Sequence, residues 1–178
     1  MYYSETKHKV FISYYHNEDQ NYKDYIDRYL SNNIINKSVK AGEYNPDNKD
    51  EYIKRLIREE KISDSSVIVV LIGKDTRKRK HVDWEIYAGL SSKIRGNSGL
   101  IGVLLPEIHI PGNQYFLSTL PARLADNVSS GYAKIYSWSD FINSFDTIID
   151  QAYIDRVGLR DRIDNHREQM HRNLGWSE

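Results

Sequence analysis

Residues 65–93, SSVIVVLIGKDTRKRKHVDWEIYAGLSSK, contain the pattern that decides the fold. The run Val67–Ile72 is continuously apolar and rich in β-branched side chains, which is typical of a parallel strand covered by helices on both faces. A basic loop follows over residues 74–80, and from Val82 onward apolar side chains recur every four residues, as on one face of a helix. This stretch therefore predicts a strand, a loop and a helix in that order.

The rest of the chain continues the alternation of strands and helices. Apolar runs predict three further strands, over residues 9–15, 100–105 and 133–138. Helical spacing and capping residues predict further helices over residues 19–33, over residues 49–61 and from Ser139 to near Gly158. Because strands alternate with helices, we expect an α/β fold, namely a flavodoxin-like doubly wound parallel sheet with helices on both faces.

Two segments fall outside this alternation. Residues 107–130 are irregular and contain two prolines, so we expect a long loop with one short helical turn across the mouth of the sheet. We expect one domain over residues 1–158, followed by an amphipathic tail helix over residues 159–178 that packs on the domain or against a second subunit. Leu159, Ile163, Met170 and Leu174 would form the apolar face of that helix.

Composition and missing motifs exclude several functions. Lys plus Arg and Asp plus Glu both total 25, so the formal net charge is zero. The chain therefore has no overall positive charge that would favour binding to nucleic acid or to an acidic membrane. The chain has no cysteine and no window approaching about 18 consecutive apolar residues, and its start lacks the apolar core of a signal peptide. The motifs GxxxxGK[ST], HExxH and GxSxG are absent. We therefore expect a soluble, cytoplasmic protein with no metal site and no part in nucleoside triphosphate hydrolysis.

The carboxyl ends of the predicted strands are where an open α/β sheet binds its ligands. Residues 14–16, residues 74–85 and the loop after the strand at 100–105 converge there. Glu85 is the first candidate for chemistry, with Asp83 in the same predicted helical turn. The competing structural interpretation is that an acidic residue in the first turn simply complements the helix dipole.

Two stretches resemble one family in particular. VFISYYHNED at residues 10–19 resembles the first strand and loop of TIR domains, and SSVIVVLIGKDTRKRKHVDWEIYAG at residues 65–89 resembles their later strand, loop and helix. The resemblance is to the TIR-like family that includes ThsB of the Thoeris anti-phage system, and it covers about residues 8–155. Glu85 stands where NAD-cleaving members keep their catalytic glutamate. The basic KRKH replaces a serine that such domains often carry before this helix.

The resemblance implies an enzyme that cleaves the bond between nicotinamide and ribose in NAD+, with NAD+ as substrate and no cofactor. It implies a cyclic or modified ADP-ribose messenger that activates a separate effector, and self-association through TIR-type contacts. Bond cleavage builds positive charge on the ribose, which the catalytic carboxylate of Glu85 would stabilise. The substrate-binding side chains implied include aromatic rings that stack on a base and a lysine of the basic loop near the diphosphate. The full set of substrate-binding residues that the resemblance implies is Ser13, Tyr14, Tyr15, Asp19, Lys74, Asp83 and Trp84.

Two other functions stay open. One is a catalytically silent TIR-type interaction module, in which Glu85 would be dispensable. The other is a receiver-like or flavin-binding domain, which ranks last because Tyr14, Tyr15 and His16 occupy the place where a receiver carries an acidic cluster.

Overall fold

The computed structural model describes residues 7–36, 45, 47–91, 96–112 and 114–174, and its centre is a five-stranded sheet. The strands are His8–Ser13 (β1), Ile34–Asn36 (β2), Val67–Ile72 (β3), Gly99–Leu104 (β4) and Lys134–Ser137 (β5). All neighbouring pairs are parallel, and the order across the sheet is β2-β1-β3-β4-β5. This is the strand order of the flavodoxin-like doubly wound sheet that the sequence predicts.

Helices cover both faces of the sheet. They are His16–Tyr29 (α1), Asp50–Leu56 (α2), Lys80–Leu90 (α3), Ala122–Ser129 (α4), Trp138–Asn143 (α5) and Phe145–Gly158 (α6), and a π-helical turn Ile57–Lys61 continues α2. One apolar cluster lies between the sheet and α1, α5 and α6, and the other lies between the sheet and α2, α3 and α4. In the described ranges, no helix is long and apolar enough to cross a membrane.

The helix α3 packs directly on the strand before it. A Cβ atom placed on Gly89 would stand 1.9 Å from Cδ1 of Ile68, so a larger residue there would force the buried Ile68 side chain to move. All six residues of β3 and most of α3 are buried. The backbone of α3 is therefore fixed against the centre of the sheet, and with it the direction of each side chain that the helix carries.

Several predicted bounds differ from the structure: the helix predicted over residues 19–33 is α1, and β2 was not among the predicted strands. The segment predicted as a loop with one helical turn contains α4, which has eight residues. Leu124, Ala125 and Val128 of this helix pack on the core, but α4 is shorter than the window of about 11–18 residues over which helical spacing is recognised. The helix predicted to start at Ser139 is divided into α5 and α6, and its N-cap is Ser137, whose side chain accepts a hydrogen bond from the Asp140 amide at 3.1 Å.

The prediction of a tail helix over residues 159–178 was wrong for the residues described. After α6, the last long helix, only a 3-10 turn at Arg160–Arg162 forms, the chain is irregular up to residue 174, and residues 175–178 lie outside the described part. Beyond this turn the tail packs on α3 and α4, and several of its backbone amides bond to other elements. The Asp164 amide donates to Asn127 at 3.0 Å, and the Leu174 amide donates to the Lys78 carbonyl at 2.9 Å. These tertiary hydrogen bonds replace the helical ones that the apolar spacing suggested.

Candidate functional site

The Glu85 carboxylate lies at the carboxyl end of β1, in contact with Ser13. Ser13 is the last residue of β1, and its hydroxyl donates a hydrogen bond to Glu85 Oε2 at 2.5 Å. Ser13 and Glu85 are 1% and 3% exposed. Because α3 begins at Lys80, Glu85 lies in its second turn rather than its first. The helix dipole therefore accounts less well for an acid at this position, since its effect falls off beyond the first turn.

The two tyrosines after Ser13 have different surroundings. Tyr14 is buried, its hydroxyl donates to Gln20 at 2.8 Å, and its ring stacks on His16 at 4.3 Å. Burial is the largest cause that raises the pKa of Tyr14 to about 12, so the phenol stays neutral. Tyr15 is half-buried, and the guanidinium of Arg79 lies 4.0 Å from the centre of its ring. Tyr15 thus joins the loop after β1 to the loop before α3.

Asp19 makes a second connection between these loops. It is 1% exposed, and the hydroxyl of Thr76 donates to its Oδ2 at 3.3 Å while accepting from the Gly73 amide at 2.9 Å. Burial, and next the negative charge of Glu107, raise the pKa of Asp19 to about 6. Glu107 follows β4, so the three strand ends converge as the sequence predicts.

Charged side chains of the basic loop surround this connection. Lys78 pairs with Asp75 at 2.8 Å, and both side chains are at least nine-tenths buried. Burial opposes the ionisation of Asp75, but the hydrogen bond and charge of Lys78 outweigh it and lower the pKa of Asp75. Partial burial and the neighbouring Asp75 raise the pKa of Glu18. Lys74 is exposed, and its charge acts on Glu18 in the opposite direction.

Asp83 and Trp84 do not join Glu85. Residues two apart on an α-helix point about 200° apart, so Asp83 faces away from the carboxylate of Glu85. Asp83 Oδ1 accepts from Arg123 Nε at 2.9 Å, and its Oδ2 accepts from the Met170 amide at 2.8 Å. Trp84 is 1% exposed, and its indole N–H donates to the Met170 carbonyl at 2.8 Å. The structure therefore places both side chains under the tail.

Sequence reasoning missed Arg123 and Thr76. Arg123 is fully buried, and it bonds Asn165 at 3.0 Å and the Glu168 carbonyl at 3.3 Å as well as Asp83. No local signal identifies Arg123, because an arginine in an irregular stretch is ordinarily a surface residue. In the described ranges, no group of three or more His, Cys, Asp and Glu side chains could hold a metal ion.

Together, the parallel sheet and the buried carboxylate at the carboxyl ends of its strands define a TIR-like α/β domain. A family model described as Thoeris protein ThsB, TIR-like domain, matches residues 11–109, which is more than half of the chain. The chain belongs to this family. No curated protein gives a significant match to it. The matched residues include Ser13 and Glu85, whereas α4 and the tail lie beyond them.

Proposed function

We propose that this chain cleaves the bond between nicotinamide and ribose in NAD+ and that Glu85 is its catalytic residue. The observation that supports this most is the pair formed by Glu85 and Ser13 at 2.5 Å, on the ligand-binding edge of a TIR-like sheet. A hydroxyl that donates to the carboxylate holds it in one orientation. Fixed negative charge of this kind stabilises a cation that develops during a reaction.

The proposed reaction proceeds in two steps. The bond between C1′ of the ribose and the ring nitrogen breaks, and its electron pair passes to nicotinamide, which leaves neutral. The positive charge that this leaves on the ribose is stabilised by Glu85, which also orients the ribose hydroxyls. A water molecule or a nucleophilic atom of the ADP-ribose part then bonds to C1′ and loses a proton. Water gives ADP-ribose, and an internal nucleophile gives a cyclic product.

The substrate reaches Glu85 only if the loops around it move. Glu85 is 3% exposed, and the loops on either side of it touch where Arg79 covers Tyr15 and where Thr76 binds Asp19. We therefore place substrate entry after separation of Arg79 from Tyr15. The freed aromatic face of Tyr15 would stack on a base of NAD+, and Arg79 with Lys74 would face its diphosphate.

Membership of the family supports a proposal for the product and its use. We propose that the chain works in the cytoplasm, where it makes a cyclic or modified ADP-ribose that activates a separate anti-phage effector. We also propose that copies of the chain associate through TIR-type contacts when they are active. Ser13, Tyr14 and Asp19 would support Glu85 from β1 and α1, whereas Asp83 and Trp84 would hold α3 in place.

The test compares Glu85→Gln with Glu59→Gln. Glu59 lies on the π-helical turn with 59% of its side chain exposed, so its variant controls for the loss of one carboxylate. Each purified protein is incubated with NAD+ at high protein concentration, and extracts of phage-infected cells that express it are examined in parallel. Chromatography with mass spectrometry should show release of nicotinamide with a new ADP-ribose species. Glu85→Gln should lose about 100-fold or more of this activity, and Glu59→Gln should keep it.

Intact NAD+ in both settings would refute the proposal, as would equal activity of the two variants. A thermal unfolding curve for each variant separates loss of chemistry from loss of fold.

The second candidate is a catalytically silent interaction module, and the deep burial of Glu85 favours it. In that case Ser13 and Glu85 are a buried polar pair that joins α3 to β1. A Glu85→Gln strain that still resists phage infection would support this function, and loss of protection by a folded variant would contradict it.

A further inference from the structure

A groove separate from Glu85 runs between α4, the tail and the basic loop. We call it the tail groove, and its volume is about 380 Å³. It falls within the range of about 300–1,000 Å³ that is usual for ligand pockets. Its lining includes Arg77, Leu117, Leu120, Ala125, Ser129 and Leu174.

The lining is aliphatic with hydroxyl groups at its edges. Leu120 is 3% exposed and forms part of the core, whereas Leu117 and Leu174 are 47% and 49% exposed. Ser118 and Ser129 provide hydroxyls that can bond to a peptide backbone. None of the lining residues in the described ranges is aromatic, so the groove offers no ring on which a nucleotide base could stack.

The groove carries one unbalanced positive charge. Its Arg167 bonds Asp126 through two nitrogens at 2.7 and 2.8 Å, so the charges of these two residues offset each other. Within the described part of the chain, Arg77 has no ion-pair partner. A guanidinium in this state is suited to a carboxylate, which it can bind through two parallel hydrogen bonds.

We propose that the tail groove binds a peptide segment of a partner protein in which an aliphatic side chain stands next to a carboxylate. The aliphatic side chain lies against Leu117, Leu120 and Leu174, and the carboxylate pairs with Arg77. Burial of the apolar side chain supplies affinity, and the charge pair sets the orientation of the peptide.

The position of the groove connects it to the loop before α3. Leu174 lines the groove, and its amide donates to the carbonyl of Lys78 in the turn Thr76–Lys78. In the same turn, Thr76 binds Asp19. A peptide in the groove therefore contacts the turn that binds Asp19, next to the candidate site. Peptide binding itself does not depend on the proposed cleavage of NAD+, and it is tested without NAD+.

The first experiment selects random seven-residue peptides, displayed on phage, against the immobilised full chain. The Ser129→Trp variant serves for counter-selection, because Ser129 is exposed at the end of α4 and an indole there fills the groove. The enriched peptides should share an aliphatic residue beside Asp or Glu. Failure to enrich any motif, or enrichment of a basic one, would overturn the proposal.

The second experiment measures the affinity of the enriched peptide by fluorescence anisotropy. Arg77→Glu and Ser129→Trp should each weaken binding about tenfold or more. Arg28→Glu is the matched control, because Arg28 lies on α1, on the opposite face of the sheet, and this variant should bind as the parent chain does. Equal affinity of all four proteins would overturn the proposal. A dimer of the parent chain that Ser129→Trp dissociates would overturn it too, because the occupant would then be a second copy.

Discussion

Replacement of Asp83 by alanine should destabilise the protein strongly, because Asp83 pairs with a fully buried arginine. The side chains of Arg123 and Asp83 are 0% and 5% exposed, and the closest contact between them is 2.9 Å. Asp83→Ala removes both carboxylate contacts of the guanidinium and the acceptor of the Met170 amide. A buried charge that loses its partner cannot be solvated, so the variant keeps the cost of burying Arg123 without the compensation.

The expected loss in the free energy of unfolding is about 3–5 kcal/mol. The entropy of unfolding is about 2.1 cal/mol/K per residue, so for 178 residues it is about 0.37 kcal/mol/K. Dividing the loss in unfolding free energy by the entropy of unfolding gives a fall in Tm of about 8–13 °C. The double variant Asp83→Ala/Arg123→Met buries no charge, and it should be at least about 2 kcal/mol more stable than the sum of the two single losses suggests.

Urea unfolding followed by tryptophan fluorescence, together with calorimetry, measures these differences. The matched control is Asp155→Ala, which removes a pair with Lys134 of similar length, 2.8 Å, in which the side chains are 17% and 47% exposed. A pair this accessible to water contributes at most about 1 kcal/mol. If Asp83→Ala costs no more than Asp155→Ala, or if the double variant shows simple additivity, the reasoning about the buried pair is refuted.

The remaining predictions concern pH and packing near the site. Burial raises the pKa of Asp19 from 3.8 to about 6, so its native state binds the proton more tightly and its contribution to stability falls as pH rises between these values. Asp19→Asn should remove that slope from a plot of unfolding free energy against pH, and an unchanged slope would contradict the assignment. Burial, and next the charge of Lys80, lower the pKa of His81 from 6.5 to about 4, so its contribution has the opposite sign and is lost as pH falls through this window. His81→Gln should reduce acid sensitivity there, and equal sensitivity would argue against a half-buried neutral imidazole. Gly73→Ala would place a methyl group 2.5 Å from Asp19 Oδ1 and should cost about 1–3 kcal/mol in urea unfolding. Gly158→Ala has no neighbour within 4 Å and should be neutral or stabilising by up to about 1 kcal/mol, so a similar cost at both glycines would refute the steric argument.

Predictions from the sequence were most accurate at the centre of the sheet. The strands β3 and β4 are buried along their whole length, so each appears in the sequence as a continuous apolar run. Such a run is typical of a parallel strand that is covered on both faces. The convergence of residues 14–16, residues 74–85 and the loop after β4 follows directly, because parallel strands bring their carboxyl ends to one edge. The order of strand, loop and helix was enough to predict that Glu85 lies on the helix after β3.

Predictions were least accurate where polar side chains are buried. Arg123 and Asn127 lie on the polar face of α4, yet both are fully buried because Asp83 and the tail cover them. The tail shows the converse, because its apolar spacing is helical while its backbone bonds to Asn127 and Lys78. A pattern of apolar residues cannot reveal hydrogen bonds between segments that are far apart in the chain.

The sequence by itself determined the parallel α/β fold, the edge at which the strands end and the presence of Glu85 there, because continuous apolar runs and their order along the chain are local properties. Only the tertiary structure decided that Glu85 meets Ser13 while Asp83 and Trp84 hold the tail. The start of α3 at Lys80 and its close contact with β3 through Gly89 set the direction in which each side chain points. Residues 83–85 are adjacent in the sequence, but they point away from the helix axis in different directions. Asp83 and Trp84 contact Arg123 and Met170, which are distant in the chain, whereas Glu85 contacts Ser13.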